Sequence, residues 1–360
     1  MEINLASEKK LLLAIKRESK VFIIPKEYGI LAAYDLKKEE WNIECVLPEY
    51  CRASKQLFFS LEEKKQTLYL VVPEKLKLLI YHFISNTFEE VDFPEQKMKQ
   101  NHYRTASVLN DVNNFIFVPI DLEESLLVFD KLTKRTVYYD QWGKDLQENL
   151  QALNLKFSFI RRDSACIINH TLYCLVKCDV QDIIFSINLS DMKLQNVYQL
   201  DVAGELFGMK KEGNSIWIHN RKDAGSELIC WNPRKKEIEG RTGLFPDIKE
   251  RMEYFKDILG SWCITFKDGK MIILEPDSHH TKEQKNIFLY FIQDCAVIFT
   301  DDNKTIKIAD LSKKSIKQLY IPKSLFIKAF SEISKISLLN EKKNTEIGQL
   351  IFNTISNSLK

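Results

Sequence analysis

One strand ending recurs seven times along this chain. It reads Ala33-Tyr34-Asp35-Leu36, Ile80-Tyr81-His82-Phe83, Val128-Phe129-Asp130-Lys131, Ser186-Ile187-Asn188-Leu189, Cys230-Trp231-Asn232-Pro233, Ile273-Leu274-Glu275-Pro276 and Ile308-Ala309-Asp310-Leu311. Each time an apolar run stops at a polar residue, and the polar positions are spaced by 47, 48, 58, 44, 43 and 35 residues. A self-repeat of that period, built from strands alone, constrains the chain to an array of small sheets, one per repeat. The fold class expected is all-β: a β-propeller of seven blades over 1–322, followed by a C-terminal helical extension over 323–360 packed on it.

A second apolar run precedes each ending. Val21-Phe22-Ile23-Ile24-Pro25, Leu68-Tyr69-Leu70-Val71-Val72-Pro73 and Phe115-Ile116-Phe117-Val118-Pro119 are three of them, and proline closes each. β-Branched and aromatic residues dominate these runs, as strands buried between neighbouring sheets require. After the ending comes a basic turn and a fourth strand, as in Asp35-Leu36-Lys37-Lys38-Glu39-Glu40-Trp41. Asp and Asn suit the first position of such a turn, because their side chains bond the backbone two residues on. The recurring acid therefore reads as turn punctuation rather than as a catalytic group.

This blade pattern, an apolar pair, Tyr-Asp, a basic turn and then Trp or Ile, resembles that of kelch-type and WD40-type propellers. The Gly-Gly doublet of the first and the Gly-His and Trp-Asp signatures of the second are absent, so the resemblance implies the architecture and carries over no functional residue. The period is broken in two places. A helical insert is expected over 146–155, and a second helix-like stretch over 246–255. The sixth repeat would draw its last strand from the very polar segment 277–285; without that strand a six-bladed count results. After Pro322, apolar residues at helical spacing over 325–336 and 347–359 predict two helices.

Charge and cysteines narrow the function classes. The 52 basic and 50 acidic residues nearly cancel, which argues against a dedicated nucleic-acid surface. Met1-Glu2-Ile3-Asn4-Leu5 lacks a basic n-region, and Leu11-Leu12-Leu13-Ala14-Ile15 is too short for a leader or a membrane span. The eight cysteines include no Cys-x-x-Cys pair. Free thiols in such a chain point to the reducing cytoplasm.

The strongest functional signal is a recurring arginine ahead of the first strand of a blade. Arg52, Arg104 and the pair Arg161-Arg162 hold comparable places, with Tyr50, His102, Tyr103 and Trp142 beside them. In a propeller those loops converge on one mouth. Several guanidiniums there would bind a planar anion, and the aromatic residues would stack on a sugar ring. The simpler alternative is a set of solvated or inter-blade salt-bridged arginines. Cys166, His170, Cys174 and Cys178 are spaced by four, but on a strand such residues lie roughly 13 Å apart, too far for one zinc ion. No metal and no cofactor is expected. No Gly-x-Ser-x-Gly elbow or phosphate loop occurs. The function expected is a non-enzymatic binding or scaffold propeller that holds an acidic or sugar-like small molecule or a protein partner. The alternative is a propeller enzyme of glycoside hydrolase or lyase type.

Overall fold

The computed structural model describes residues 11–25, 29–52, 57–62, 66–72, 75, 77–93, 104–242, 252–258, 261–266, 270–274, 281–284, 288–293, 296–300, 305–310, 315–322, 324–325 and 327–328. Within them the chain forms seven four-stranded antiparallel sheets, each from four consecutive strands. The first holds β1 (Leu11–Arg17), β2 (Lys20–Pro25), β3 (Ile30–Asp35) and β4 (Glu40–Val46), followed by a one-turn helix α1 (Glu49–Arg52). The second holds β5 (Phe58–Glu62), β6 (Thr67–Val72), β7 (Lys77–His82) and β8 (Thr87–Asp92). The third holds β9 (Thr105–Asn110), β10 (Asn114–Pro119), β11 (Leu126–Asp130) and β12 (Arg135–Tyr139), and helix α2 (Gln141–Ala152) follows it. The fourth holds β13 (Phe157–Ile168), β14 (Thr171–Cys178), β15 (Ile183–Asn188) and β16 (Lys193–Tyr198). The fifth holds β17 (Glu205–Glu212), β18 (Ser215–Lys222), β19 (Gly225–Asn232) and β20 (Glu237–Arg241). The sixth holds β21 (Met252–Ile258), β22 (Ser261–Phe266), β23 (Met271–Leu274) and β24 (Thr281–Gln284). The seventh holds β25 (Phe288–Gln293), β26 (Ala296–Thr300), β27 (Thr305–Asp310) and β28 (Ser315–Tyr320).

Each recurring ending closes, or directly follows, the third strand of its sheet, and the turn chemistry is as expected. Asp130 Oδ1 accepts the backbone N–H of Leu132 and Thr133 at 2.8 and 2.7 Å. Asp35 Oδ1 accepts those of Lys37 and Lys38, and Asn232 Oδ1 those of Arg234 and Lys235. In the first to fifth sheets a left-handed residue ends the turn: Glu39 at φ 58°, Asn86 at 52°, Lys134 at 56°, Met192 at 55° and Lys236 at 61°. The N–H bonds hold the carboxyls of Asp130 and Asp35 below the usual carboxylate range.

Contacts divide the chain into two compact units. Met1–Leu68, Tyr81–Phe88 and Phe288–Lys360 form the first; Tyr69–Ile80 and Glu89–Ile287 form the second. In the second unit, successive sheets stack through alternating strand faces. Along β14, Leu172, Cys174, Val176 and Cys178 pack with Ile116, Val118 and Leu126 of the third sheet. The intervening Tyr173 and Leu175 pack with Leu206, Met209 and Trp231 of the fifth. Successive side chains of a strand point to opposite faces, so a strand sandwiched between two sheets must be apolar throughout. In the first unit, Ala14, Val21, Ile23 and Ala32 of the first sheet share a core with Ile298, Ile306, Ile308 and Leu319 of the seventh, and Leu325 joins it. Those two sheets share no strand. Trp41 donates its Nε1–H to the Tyr320 carbonyl at 2.9 Å, and Lys317 pairs with Glu39 at 2.8 Å.

Three expectations shift. The insert is a helix over Gln141–Ala152, five residues earlier than the apolar spacing suggested. It starts early because Trp142, buried together with Leu146 and Leu150, belongs to its inner face. The helix-like reading of 246–255 fails over its last four residues, which open strand β21; the rest lies outside the described residues. Polar as it is, the segment 277–285 supplies β24, paired in register with β23. The two C-terminal helices expected over 325–336 and 347–359 lie almost wholly outside the described residues, which end at Lys328.

Candidate functional site

Antiparallel order fixes which loops meet at one end of each sheet: the start of the first strand, the loop between the second and third, and the end of the fourth. In the second unit this end carries the ion pairs of Arg104, Arg161 and Arg241. The inner strands β9 and β13 are linked there through the backbone, Ile120 donating to Arg104 and Ile160 to Ile120, both at 2.9 Å.

Arg104, just ahead of β9, and Arg161, on β13, therefore stand at neighbouring strands, and each faces an acid from the second loop of its own sheet. Arg104, exposed, pairs with Asp121. Arg161 is buried, and its Nη2 donates to Asp182 Oδ2 at 3.0 Å and to Glu205 Oε1 at 2.6 Å. Lys177 reaches Glu205 at 3.3 Å and Asp182 at 3.6 Å, and Arg221 reaches Glu205 at 3.3 Å. The network thus joins β13 and β14 to β17 and β18. Burial pushes the Asp182 carboxyl up, and the charges of Arg161 and Lys177 only partly offset it. At Glu205 burial also pushes upward, but the bond and charge of Arg161, with Lys177, outweigh it and hold the carboxyl below the ordinary range. A second cluster lies in the same sheet: Glu227 accepts from Asn220 and pairs with Lys222 at 2.8 Å and Arg241 at 3.0 Å.

A bulge positions the neighbouring arginine. The β13–β14 register shifts between Ile160 and Ala165, and Asp163 takes a left-handed φ of 55°. Lys210 Nζ donates to the Asp163 carbonyl at 3.2 Å and Ser164 Oγ to that of Arg162 at 3.1 Å, which fixes the bulge. Arg162 is exposed, and its guanidinium has no bonding partner among the described residues. Bulges at sheet edges commonly re-aim a side chain in this way.

The other predicted site residues fare differently. Trp142 is 1% exposed, stacks on Phe185 at 5.9 Å and donates to the Glu124 carbonyl. It is a core residue and offers no face to a sugar. Tyr50 and Arg52 lie on α1 in the first unit, Tyr50 half-buried; the side chain of Arg52 lies outside the description, as do His102 and Tyr103 altogether. Sequence reasoning missed Lys177, Asp182, Glu205 and Arg221. One signal was present: an acid follows Arg104 by 17 residues and Arg161 by 21, at the loop after the second strand.

Other chemistry is closed off or absent among the described residues. Cys166 and Cys174 lie on neighbouring strands but face opposite sheets, so they do not converge. Burial pushes the Cys166 thiol up to about 12 and raises that of Cys174. His170 is an exposed hairpin residue 3.7 Å from Asp111. No group of three metal-ligating side chains occurs among the described residues. No helix among them is long and apolar enough to cross a membrane. A separate groove of about 410 Å³ in the first unit runs along β4, lined by Trp41 to Val46 and Lys328.

No family model matches the chain, and no curated protein matches it in sequence. Its fold matches several solved structures. KlAtg21, in complex with the coiled-coil of AgAtg16, is 11% identical over 87% of this chain and 100% of that one, with a TM-score of 0.54. Hydrazine synthase from Kuenenia stuttgartiensis is 8% identical over 89% and 99%, with a TM-score of 0.50. A prolyl endopeptidase is 10% identical over 86% of this chain but 50% of its own length, with a TM-score of 0.53. At such identities the likeness speaks for the fold alone. The chain is an all-β protein of β-propeller type.

Proposed function

We propose that this chain is a binding or scaffold propeller, without catalysis, that engages a protein partner at the charged loop end of its third to fifth sheets. One observation carries the reading. Arg104, Arg161, Lys177, Arg221, Lys222 and Arg241 are each paired with carboxylates, which leaves little free charge for a small anion. On the fourth sheet, by contrast, Phe159 is 42% exposed, Val180 is 77% exposed and the guanidinium of Arg162 has no partner among the described residues. Exposed apolar side chains on the same sheet as an exposed guanidinium suit a protein surface better than a sugar or a lone phosphate. KlAtg21, which shares the fold, is seen holding a coiled-coil. The seven sheets support a seven-bladed count, with no subfamily signature. The six described free cysteines fit a reducing cytoplasm.

An enzymatic reading has one observation in its favour. Asp182 and Glu205 bond the same nitrogen of Arg161, and their carboxyls are pushed in opposite directions, as acid–base pairs are. The Asp182 side chain is only 1% exposed, however, which leaves a substrate no access to it. The binding reading is tested by Phe159→Asp and Val180→Asp together. The double variant is expected to keep its melting midpoint and far-UV spectrum and to lose a partner that co-purifies with the unaltered chain. Undiminished capture refutes the proposed face.

A further inference from the structure

The carboxylate of Glu205 rests on three cations from three different strands. Its Oε1 accepts from Arg161 at 2.6 Å and Lys177 at 3.3 Å, and its Oε2 from Arg221 at 3.3 Å. Exposure is graded across the group. The side chain of Arg161 is 6% exposed, those of Arg221 and Lys177 22% and 32%, and that of Glu205 37%. Both guanidiniums lie against one aromatic ring, Phe207, at 5.3 Å for Arg161 and 4.9 Å for Arg221, which limits their freedom. Among the described residues, Asp182 is the other acid that Arg161 and Lys177 meet. The Arg161 Nε–H is buried and finds no hydrogen-bond acceptor among the described residues. Three fixed donors on one carboxylate make a bound-anion arrangement, with the anion supplied by the chain itself.

We propose that Arg161, Lys177 and Arg221 form a carboxylate-binding cradle in which Glu205 is an internal stand-in, displaced by an acidic side chain of a protein partner. The inference rests on the preceding reading, that a protein docks at this end. The ligand class follows from the fit: the cradle already holds a carboxylate, and planar forks match planar carboxylates. Exchange needs only side-chain rotation. The backbone before Glu205 is fixed by Gly204, at φ 116°, where a Cβ would lie 2.4 Å from the Arg221 carbonyl oxygen. A tethered competitor acts at an effective concentration of roughly millimolar or above, so a lone small acid competes poorly. A segment carrying several adjacent carboxylates competes well, because further acids can engage the exposed Arg162 nearby.

The test is fluorescence polarisation with a labelled hexaglutamate peptide, titrated with the full chain at low and at physiological salt. Glu205→Gln removes the stand-in charge and keeps its shape. Binding is expected to tighten about tenfold or more, as loss of a millimolar-range internal competitor implies. The double variant Glu205→Gln with Arg221→Met is expected to return to the affinity of the unaltered chain. Free glutarate is expected to compete far less well than the peptide. Unchanged affinity in Glu205→Gln, a gain that survives the loss of Arg221, or glutarate as potent as the peptide each overturns the proposal. Melting curves confirm folding. Should Glu205→Gln not fold, Glu205→Asp withdraws the carboxylate by one methylene and must give a smaller gain of the same sign; no gain there overturns the proposal equally. Failure here leaves the Phe159 and Val180 test standing, since that test reads capture of a partner and not the affinity of the cradle for a peptide.

Discussion

Replacing Arg161 by Met would test the energetics of the network directly. The substitution keeps an apolar stem of similar length and removes the guanidinium. Arg161 is 5% exposed and contacts both Asp182 and Glu205, so its loss strands Asp182, whose side chain is 1% exposed. Lys177, at 3.6 Å, is then the cation left beside it among the described residues. Removing one partner of a buried pair costs about 3–5 kcal/mol, against a total stability of roughly 5–15 kcal/mol for a folded domain. At about 2–4 °C per kcal/mol for domains of 150–250 residues, the melting midpoint should fall by roughly 6 °C or more. The pH dependence has a definite sign. The folded Asp182 carboxyl already lies above its ordinary 3.8 because burial outweighs its cations, and losing Arg161 raises it further. A raised acid is destabilising when ionised. The deficit of the variant is therefore fully present at neutral pH and shrinks as pH falls through the folded value, where Asp182 takes up a proton. Denaturant unfolding from pH 7 to pH 4.5 measures this, with Arg161→Met/Asp182→Asn recovering most of the loss. A deficit below about 1 kcal/mol, the range of an exposed pair, or one independent of pH refutes the reasoning.

Other perturbations probe the fold. Trp41→Phe removes the bond to the Tyr320 carbonyl that helps join the first and last sheets, and should cost about 0.5–1.5 kcal/mol in denaturant unfolding. Asp130→Asn should be nearly silent, because Asn188 and Asn232 fill the same turn position, whereas Asp130→Ala should lower the melting midpoint measurably. Gly143→Ala places a Cβ 2.2 Å from the Leu122 carbonyl oxygen, so α2 must move; a loss of about 1–3 kcal/mol is expected by calorimetry. Cys166 and Cys174, buried with raised pKa values, should resist iodoacetamide at pH 7.5 until denaturant is added, as mass spectrometry would show.

Much of the architecture was legible because the repeat writes the same physical requirement seven times. Asp35, Asp130 and Asn232 each sit where two backbone N–H groups need an acceptor, and that need is local. The double-sided burial of Leu172 to Cys178 was equally visible as an unbroken apolar run. Helix α2 begins ahead of the 146–155 apolar spacing because Trp142 is the first anchor of its buried face and not part of a ligand mouth. Strand β24 looked too polar to pair, yet its backbone bonds to β23 regardless of its side chains. For the arginines, the sequence placed Arg104 and Arg161 at matching positions but gave no sign of what they face. Glu205 is 44 residues from Arg161 and belongs to the next sheet.

The amino-acid sequence by itself determined the repeat, the strand ends and the turns, because those depend on neighbours a few residues away. Tertiary structure alone decided which charges meet. It placed Glu205 within 2.6 Å of Arg161 while Arg162, the next residue, was left facing solvent. That choice arises from a bulge in β13 and from the packing of one sheet on the next, and ionic contacts between sheets leave no period in a sequence.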